Sequence, residues 1–427
     1  METGRPTLKD RYNLVYLILL LHGVGNLTPW SVLFNAEDYF TNYKFISNDT
    51  RDGVDVIILP PNLRFCSLVP MVFLTWLNTF AQFTNNDTTQ RVIASIGTEV
   101  LVFVFIIALV MLDFRKIPLI FNTLTVLSIA AINTANGVYT NVVFGIGAKF
   151  SPKYVGAIIL GNNISSTFFS LVAIILRLVH TSRQTSAIYC FILGLIVLML
   201  CLDTYLSLPL IKFYRIHKHL TKLHQAETVT FKNTNLVKIP LKRILRKTIA
   251  QLANVFMVYF VTLSLFHSTP GNIGPCNENF FLQGTFALLI CFFCFNLSSM
   301  IGSIVAYFIQ WPPPKFVIIP VLARLLYIPL YWLCNYLVVG AKRITPIYII
   351  LYWVFLLTLA FTSGYFGSVT MQYVPRSVGT QYCEDAGRLA GAILVTATFC
   401  GIICSYVCSC ILSEWILELE QDSILTD

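Results

Sequence analysis

The side chains able to do chemistry in this 427-residue sequence are amides, hydroxyls and aromatic rings set at helical spacing inside long apolar runs. His22, Asn26 and Trp30 recur at i, i+4 and i+8 beside Gly25 and Pro29, so the three share one helical face. Thr75, Asn78 and Gln82 repeat the pattern, as do Asn133, Asn136 and Thr140, then Asn162 and Ser166, then Asn296, Ser299 and Ser303. Groups of this kind bind by hydrogen bonds. A lone Ser or Asn in a membrane helix is interhelical glue worth about 0.6 kcal/mol. So many stripes exceed what packing needs, and they predict a water-filled polar cavity.

Three charges interrupt the apolar runs: Glu99, Asp203 and Arg324. Intramembrane charges are costly and are read first as functional. Asp203 lies near the end of its run, within snorkelling reach of water. Glu99 and Arg324 are expected on peripheral helices, as structurally paired charges. No phosphate-binding loop, zinc-protease helix motif or nucleophile elbow occurs, so the sequence offers no engine for ATP-driven work and no hydrolytic centre, and no cofactor is expected. Cys400, Cys404 and Cys408 share a helical face without a histidine or carboxylate beside them, which suits packing better than metal binding.

Such stripes need membrane helices to carry them, and the composition demands membrane helices. Apolar residues make up 56% of the chain and charged residues 11%, against roughly 25% charge in soluble domains. A span takes about 20 apolar residues to cross about 30 Å of hydrocarbon. Apolar runs place spans at 12–34, 63–83, 92–112, 117–147, 154–178, 187–210, 249–267, 280–308, 316–338, 346–372 and 387–412. Residues 1–210 then form a six-helix bundle, 211–248 a basic loop and 249–427 a five-helix bundle with an acidic tail. This 6+5 division is what a two-bundle transporter shows.

Most of the net charge of +9 sits in that loop, where Lys212, Arg215, Lys218, Lys222, Lys232, Lys238, Lys242, Arg243, Arg246 and Lys247 face one acid, Glu227. A cytoplasmic loop obeying the positive-inside bias explains it, with no nucleic-acid partner. With the N-terminus inside, 19 Lys and Arg fall on inner segments and nine on outer ones, which places the C-terminal tail outside. Asn48-Asp49-Thr50 is a glycosylation triplet in the first external loop of that topology.

The run Gly23-Val24-Gly25-Asn26-Leu27-Thr28-Pro29-Trp30, followed by Ala36-Glu37-Asp38-Tyr39-Phe40, resembles the opening of the equilibrative nucleoside transporter family. The resemblance continues through Trp76-Leu77-Asn78-Thr79-Phe80, Ile132-Asn133 to Phe144-Gly145, Ala323-Arg324-Leu325-Leu326-Tyr327-Ile328-Pro329 with Cys334-Asn335, and Thr362-Ser363-Gly364-Tyr365. It implies an all-α, major-facilitator-like fold of eleven transmembrane helices and passive movement of nucleosides by alternating access. It also implies that Trp30 packs on the substrate, with Phe34 one turn further. Phe295, Asn296 and Gly302 keep the helix-eight pattern F-N-x-x-D-x-x-G-R, but Ser299 and Ser303 replace its acidic and basic members. In the family that charged pair grips the sugar hydroxyls. Thr140 stands where relatives carry a base-contacting glutamine, and Ser31 replaces the asparagine after Pro-Trp.

The leading expectation is a facilitative carrier of nucleosides or nucleobases at the plasma membrane. Its small-molecule substrate would be bound by Asn26, Trp30, Phe34, Asn78, Asn136, Thr140, Asn296, Ser299 and Ser303. Two alternatives stay open: a carrier for organic cations or another small metabolite, and a transport-dead sensor or scaffold that kept the fold.

Overall fold

The computed structural model describes residues 10–36, 39, 63–82, 88–112, 118–179, 182–217, 241–266, 285–330 and 346–426. Asn48 and residues 218–240 of the basic loop lie outside the described residues, as do Cys334-Asn335. The helices are α1 (Leu14–Asn35), α2 (Leu63–Gln82), α3 (Thr88–Met111), α4 (Pro118–Phe150), α5 (Pro152–Leu178) and α6 (Arg183–Ser207), then α7 (Leu241–Phe266), α8 (Thr285–Phe308), α9 (Ile318–Ala323), α10 (Pro346–Arg376) and α11 (Cys383–Thr426). No strand occurs among the described residues. In hydrocarbon a helix satisfies its own backbone polar groups, which is why long apolar runs fold this way.

By length and composition, eight helical segments among the described residues can cross a bilayer. Leu68–Phe80 and Ile318–Leu330 are shorter apolar helical stretches. α4 has 33 residues, yet its buried Asn133, Asn136, Thr140 and Asn141 make it more polar than its neighbours. Such a helix must be wrapped by protein, and it is: α2, α3 and α11 pack on it. α11 was expected to end near 412. It continues to Thr426 over 44 residues, about 66 Å at 1.5 Å per residue, well beyond the hydrocarbon thickness.

Local signals set the boundaries. Pro152 opens α5 after an extended Ser151, where its missing N–H costs nothing. Ser182 caps α6 by accepting from Thr185 N at 3.1 Å.

Directions follow from which residues meet. Tyr16 faces Tyr154 with ring centroids 6.2 Å apart, and Asn26 meets Asn162, so α1 and α5 run parallel. Tyr16 also meets Tyr307 at 5.7 Å while Phe34 meets Phe292 at 4.2 Å, so α8 runs against α1. His22 with Tyr139 and Asn26 with Asn136 show that α4 is antiparallel to α1 as well.

Several helix crossings are close enough to require glycine, the tightest being those of α1 with α5 and of α8 with α10. A Cβ on Gly161 would collide with Leu20 O, fixing α5 against α1, and one on Gly364 would collide with Ser299 O, fixing α10 against α8. Small residues at crossings let membrane helices gain dispersion contacts, because lipid supplies no hydrophobic drive to bring them together. Apolar clusters fill the space between: Val32, Phe103, Phe121, Ile132, Phe169 and Phe191 in one, Val261, Phe295, Phe355 and Leu359 in another. The outward surface is apolar too, with Phe73, Leu101, Leu127 and Ile350 exposed. Polar side chains turned inward and apolar ones outward reverse the soluble pattern, as a lipid solvent requires.

Gly364→Ala is expected to destabilise by about 1 to 3 kcal/mol through overpacking. Gly97→Ala, where an added Cβ meets nothing within 4 Å, is expected to stabilise by up to about 1 kcal/mol through helix propensity. Thermal unfolding of the two purified variants in one detergent checks both signs.

Candidate functional site

A cavity of about 50 Å³ opens between α1, α5, α7 and α8, lined by Trp30, Ser31, Phe34, Asn35, Ser166, Ser170, Phe266, Phe292 and Asn296. In this conformation it has room for a few waters. Aromatic edges crowd one side: Phe34 on Phe292 at 4.2 Å, Phe266 on Phe292 at 4.9 Å and Phe266 on Phe295 at 4.1 Å. The polar side is neutral. Asn296 Nδ2 donates to Ser170 Oγ at 3.1 Å, Ser31 and Ser166 hydroxyls lie 3.5 Å apart, and Asn35 Nδ2 donates to Ser31 O at 2.8 Å. Asn35 Oδ1 is buried and has no protein donor. An acceptor left open in a polar cavity is one that water or a ligand N–H can use.

One turn before Trp30, a second polar layer joins four helices. Thr140 Oγ1 donates to Asn26 Oδ1 at 2.7 Å, Asn26 Nδ2 donates to Asn162 Oδ1 at 3.3 Å, and Asn136 Nδ2 donates to Asn26 O at 2.7 Å. Asn136 also reaches Glu99 Oε1 on α3 at 3.4 Å. Buried amides carry a desolvation penalty of about 1 to 3 kcal/mol when unpaired, so this layer holds α1, α4 and α5 in register.

The residues expected from sequence therefore divide into three groups. Trp30, Phe34 and Asn296 line the cavity, and Asn26, Asn136 and Thr140 form the layer beneath it. Asn78, Ser299 and Ser303 are engaged elsewhere. Asn78 donates to Asn141 Oδ1 at 2.8 Å and accepts from Arg91 at 2.7 Å, bracing α2, α3 and α4. Ser303 accepts from Asn163 Nδ2 at 2.6 Å and donates to Gly364 O at 3.1 Å, while Ser299 donates to Asn163 Oδ1 at 3.2 Å. One α5 amide thus occupies both serines that stand at the charged positions of the helix-eight pattern.

The sequence did not single out Asn163, Phe266, Phe292, Ser170 or Asn35. A phenylalanine at helical spacing reads as core, and nothing in Phe292 distinguishes the two roles.

The intramembrane charges are also placed. Asp203 is exposed, as expected near a helix end. Arg324 was expected on a peripheral helix as half of a charge pair. Its side chain instead turns inward, 2% exposed, and donates to Val258 O at 2.9 Å, Thr262 Oγ1 at 2.8 Å and Leu359 O at 3.3 Å. A guanidinium can be held by neutral oxygens where helix carbonyls and a hydroxyl converge.

At the end where α1 begins, α4 meets α11 through ions. Lys149 lies 3.2 Å from Glu384, and Arg388 bridges Glu384 at 2.5 Å and Asp385 at 3.4 Å. Phe150, Phe213 and His217 stack beside them, with centroids 5.2 to 5.9 Å apart. Burial among these rings, reinforced by the Lys149 charge, pushes His217 below the usual imidazole range, and only its contact with the Lys149 backbone works the other way. These contacts join α4 to α11 at this end, and the cavity lies towards the opposite end.

The family profile described as "Nucleoside transporter" matches residues 126–410. The equilibrative nucleoside transporter 1 of Mus musculus is 26% identical to this chain, covering 93% of it and 97% of the relative. The human equilibrative nucleoside transporter 1 is 24% identical over the same shares. The equilibrative nucleotide transporter 1 of Arabidopsis thaliana is 25% identical, covering 93% of this chain and 86% of its own. Among solved structures, the major facilitator superfamily proton:xylose symporter XylE superposes with a TM-score of 0.66 at 11% identity, over 96% of this chain and 91% of that one. At that identity the likeness concerns the fold alone: the helices are arranged as in XylE.

Proposed function

This chain belongs to the nucleoside transporter family, and from that premise we propose that it carries nucleosides or nucleobases down their gradient by alternating access to the cavity beside Trp30. The carrying observation is the chemistry of the lining: a flat indole and phenyl edges, amides and hydroxyls, and no charged side chain among the described residues. A nucleobase offers the complement, a π face with donors and acceptors in its plane and no net charge. Stacking on an aromatic side chain tolerates every base, while neutral amides select orientation. An organic cation would need an acid in the lining, and none is there among the described residues.

In this reading six helices before residue 211 rock against five after residue 248 as an eleven-span, two-bundle carrier. The pairing of α5 with α8 and of α4 with α11 supports it, since these contacts cross the division and are the ones that must slide. Trp30 and Phe34 stack on the base, and Asn296 with Asn35 addresses its edge. Asn26, Asn136 and Thr140 become reachable when α1 parts from α4. Ser299 and Ser303 contact substrate only after Asn163 releases them, and Asn78 acts by holding α2 to α4. Neutral contacts to a sugar are roughly half as strong as charge-assisted ones, so ribose contributes less here than the base.

The N-terminus is assigned to the cytoplasm and the C-terminus to the exterior of the plasma membrane. An antibody should reach a C-terminal tag on intact cells, and Asn48→Gln should remove a glycan. A tag reached only after permeabilisation would contradict the topology.

The transport reading is tested at Trp30. Uptake of labelled nucleosides, normalised to the amount of protein in the membrane, should fall about 5-fold to about 150-fold in Trp30→Ala, equivalent to about 1 to 3 kcal/mol of stacking. Trp30→Phe and Trp30→Tyr should keep a good part of it. Equal uptake by the alanine and phenylalanine variants would mean that the ring only packs.

A further inference from the structure

Glu99 lies on α3, outside the cavity lining, and its carboxyl is fully buried. Oε1 receives one long bond, 3.4 Å, from Asn136 Nδ2, and Oε2 has no partner. α3 packs on α4 and α6. From α4 it is faced by Asn136 and Tyr139, from α6 by Cys201, with Tyr205 beside Tyr139, and from α1 by His22 acting through Tyr139. His22 Nδ1 lies 2.7 Å from the Tyr139 hydroxyl, and its Nε2 is also buried without a partner.

No cation is paired with Glu99 among the described residues. Arg91, on the same helix, lies eight residues away, about 12 Å along the axis, and donates to Asn78. Lys149 and Arg388 are matched by Glu384 and Asp385 at the end where α1 begins.

A carboxylate held this way would be an uncompensated charge in a low-dielectric interior, at a cost of several kcal/mol. Taking one proton from water onto a carboxylate oxygen removes the charge and gives a neutral acid that the surrounding hydroxyls and amides tolerate. We propose that Glu99 is a proton-binding site of the conformational cycle. The carboxyl carries a proton while α1, α3 and α4 are packed, and it returns that proton to water when they part. Asn136 connects the acid to Asn26, one turn from Trp30, so the proton is sensed beside the cavity. The sign follows from linkage: the packed state holds the proton more tightly, so it is favoured at low pH and loses its advantage as pH rises.

The test has two arms, of which only the uptake arm rests on the transport reading. Infrared spectra of the purified protein in lipid should show a protonated-carboxyl C=O band that Glu99→Gln removes. Uptake of labelled uridine into proteoliposomes, from about pH 5 to about pH 8, should change with pH by no more than about tenfold per unit, the signature of one proton. In E99Q it should be flat. If E99Q does not reach the membrane, Glu99→Met, neutral and apolar, takes its place in both arms. Loss of the band with no uptake by any variant leaves the site standing and removes the transport reading. A band unchanged in the variant, or the same pH slope with and without Glu99, overturns the proposal.

Discussion

The constraint on which the rest of this structure depends is that a polar group inside hydrocarbon must find its partner within the protein. Asn26 shows its reach. Its side chain accepts from Thr140 and donates to Asn162, and its carbonyl accepts from Asn136, so one residue of α1 fixes the positions of α4 and α5. Asn141 does the same lower on α4, joining Asn78, Thr79 and the carbonyl of Arg388. Helices that have no hydrophobic reason to associate in lipid are located by these bonds and by the glycine crossings.

The same constraint makes the fold a carrier scaffold. Amides that pair across helices can re-pair after a shift of one turn, because neutral donors and acceptors are interchangeable in a way that buried ion pairs are not. Asn163 between Ser299 and Ser303 is the clearest instance: where the family pattern places an acid and a base, this chain has a neutral bridge from α5 to α8. The cavity beside it is lined, among the described residues, by aromatic rings and neutral amides and hydroxyls.

Much of this was legible in the sequence for a physical reason. Apolar runs of about 20 residues have one stable form in a bilayer, so helix positions could be read closely. Polar residues at i and i+4 must share a face, so Asn136 and Thr140 were found as a pair. What could not be read was partnership. Asn78 and Asn296 look alike as isolated amides, yet one is spent on Arg91 and Asn141 while the other lines a cavity. Burial of Arg324 without an acid among the described residues was equally hidden, because two of the three oxygens that hold it are helix carbonyls, which every sequence contains. The extension of α11 to Thr426 was missed because apolarity marks where a helix meets lipid and says nothing of a helix that continues into water.

The central claim is that this chain lets nucleosides equilibrate through a neutral, aromatic-lined cavity. The most direct measurement is uptake of labelled uridine by proteoliposomes of the purified protein, with the same pH and ions on both sides. The account predicts uptake that stops when inside and outside concentrations are equal and that runs faster when the vesicles are preloaded with unlabelled uridine. No uptake above protein-free vesicles across ribonucleosides, deoxyribonucleosides and free bases would contradict it.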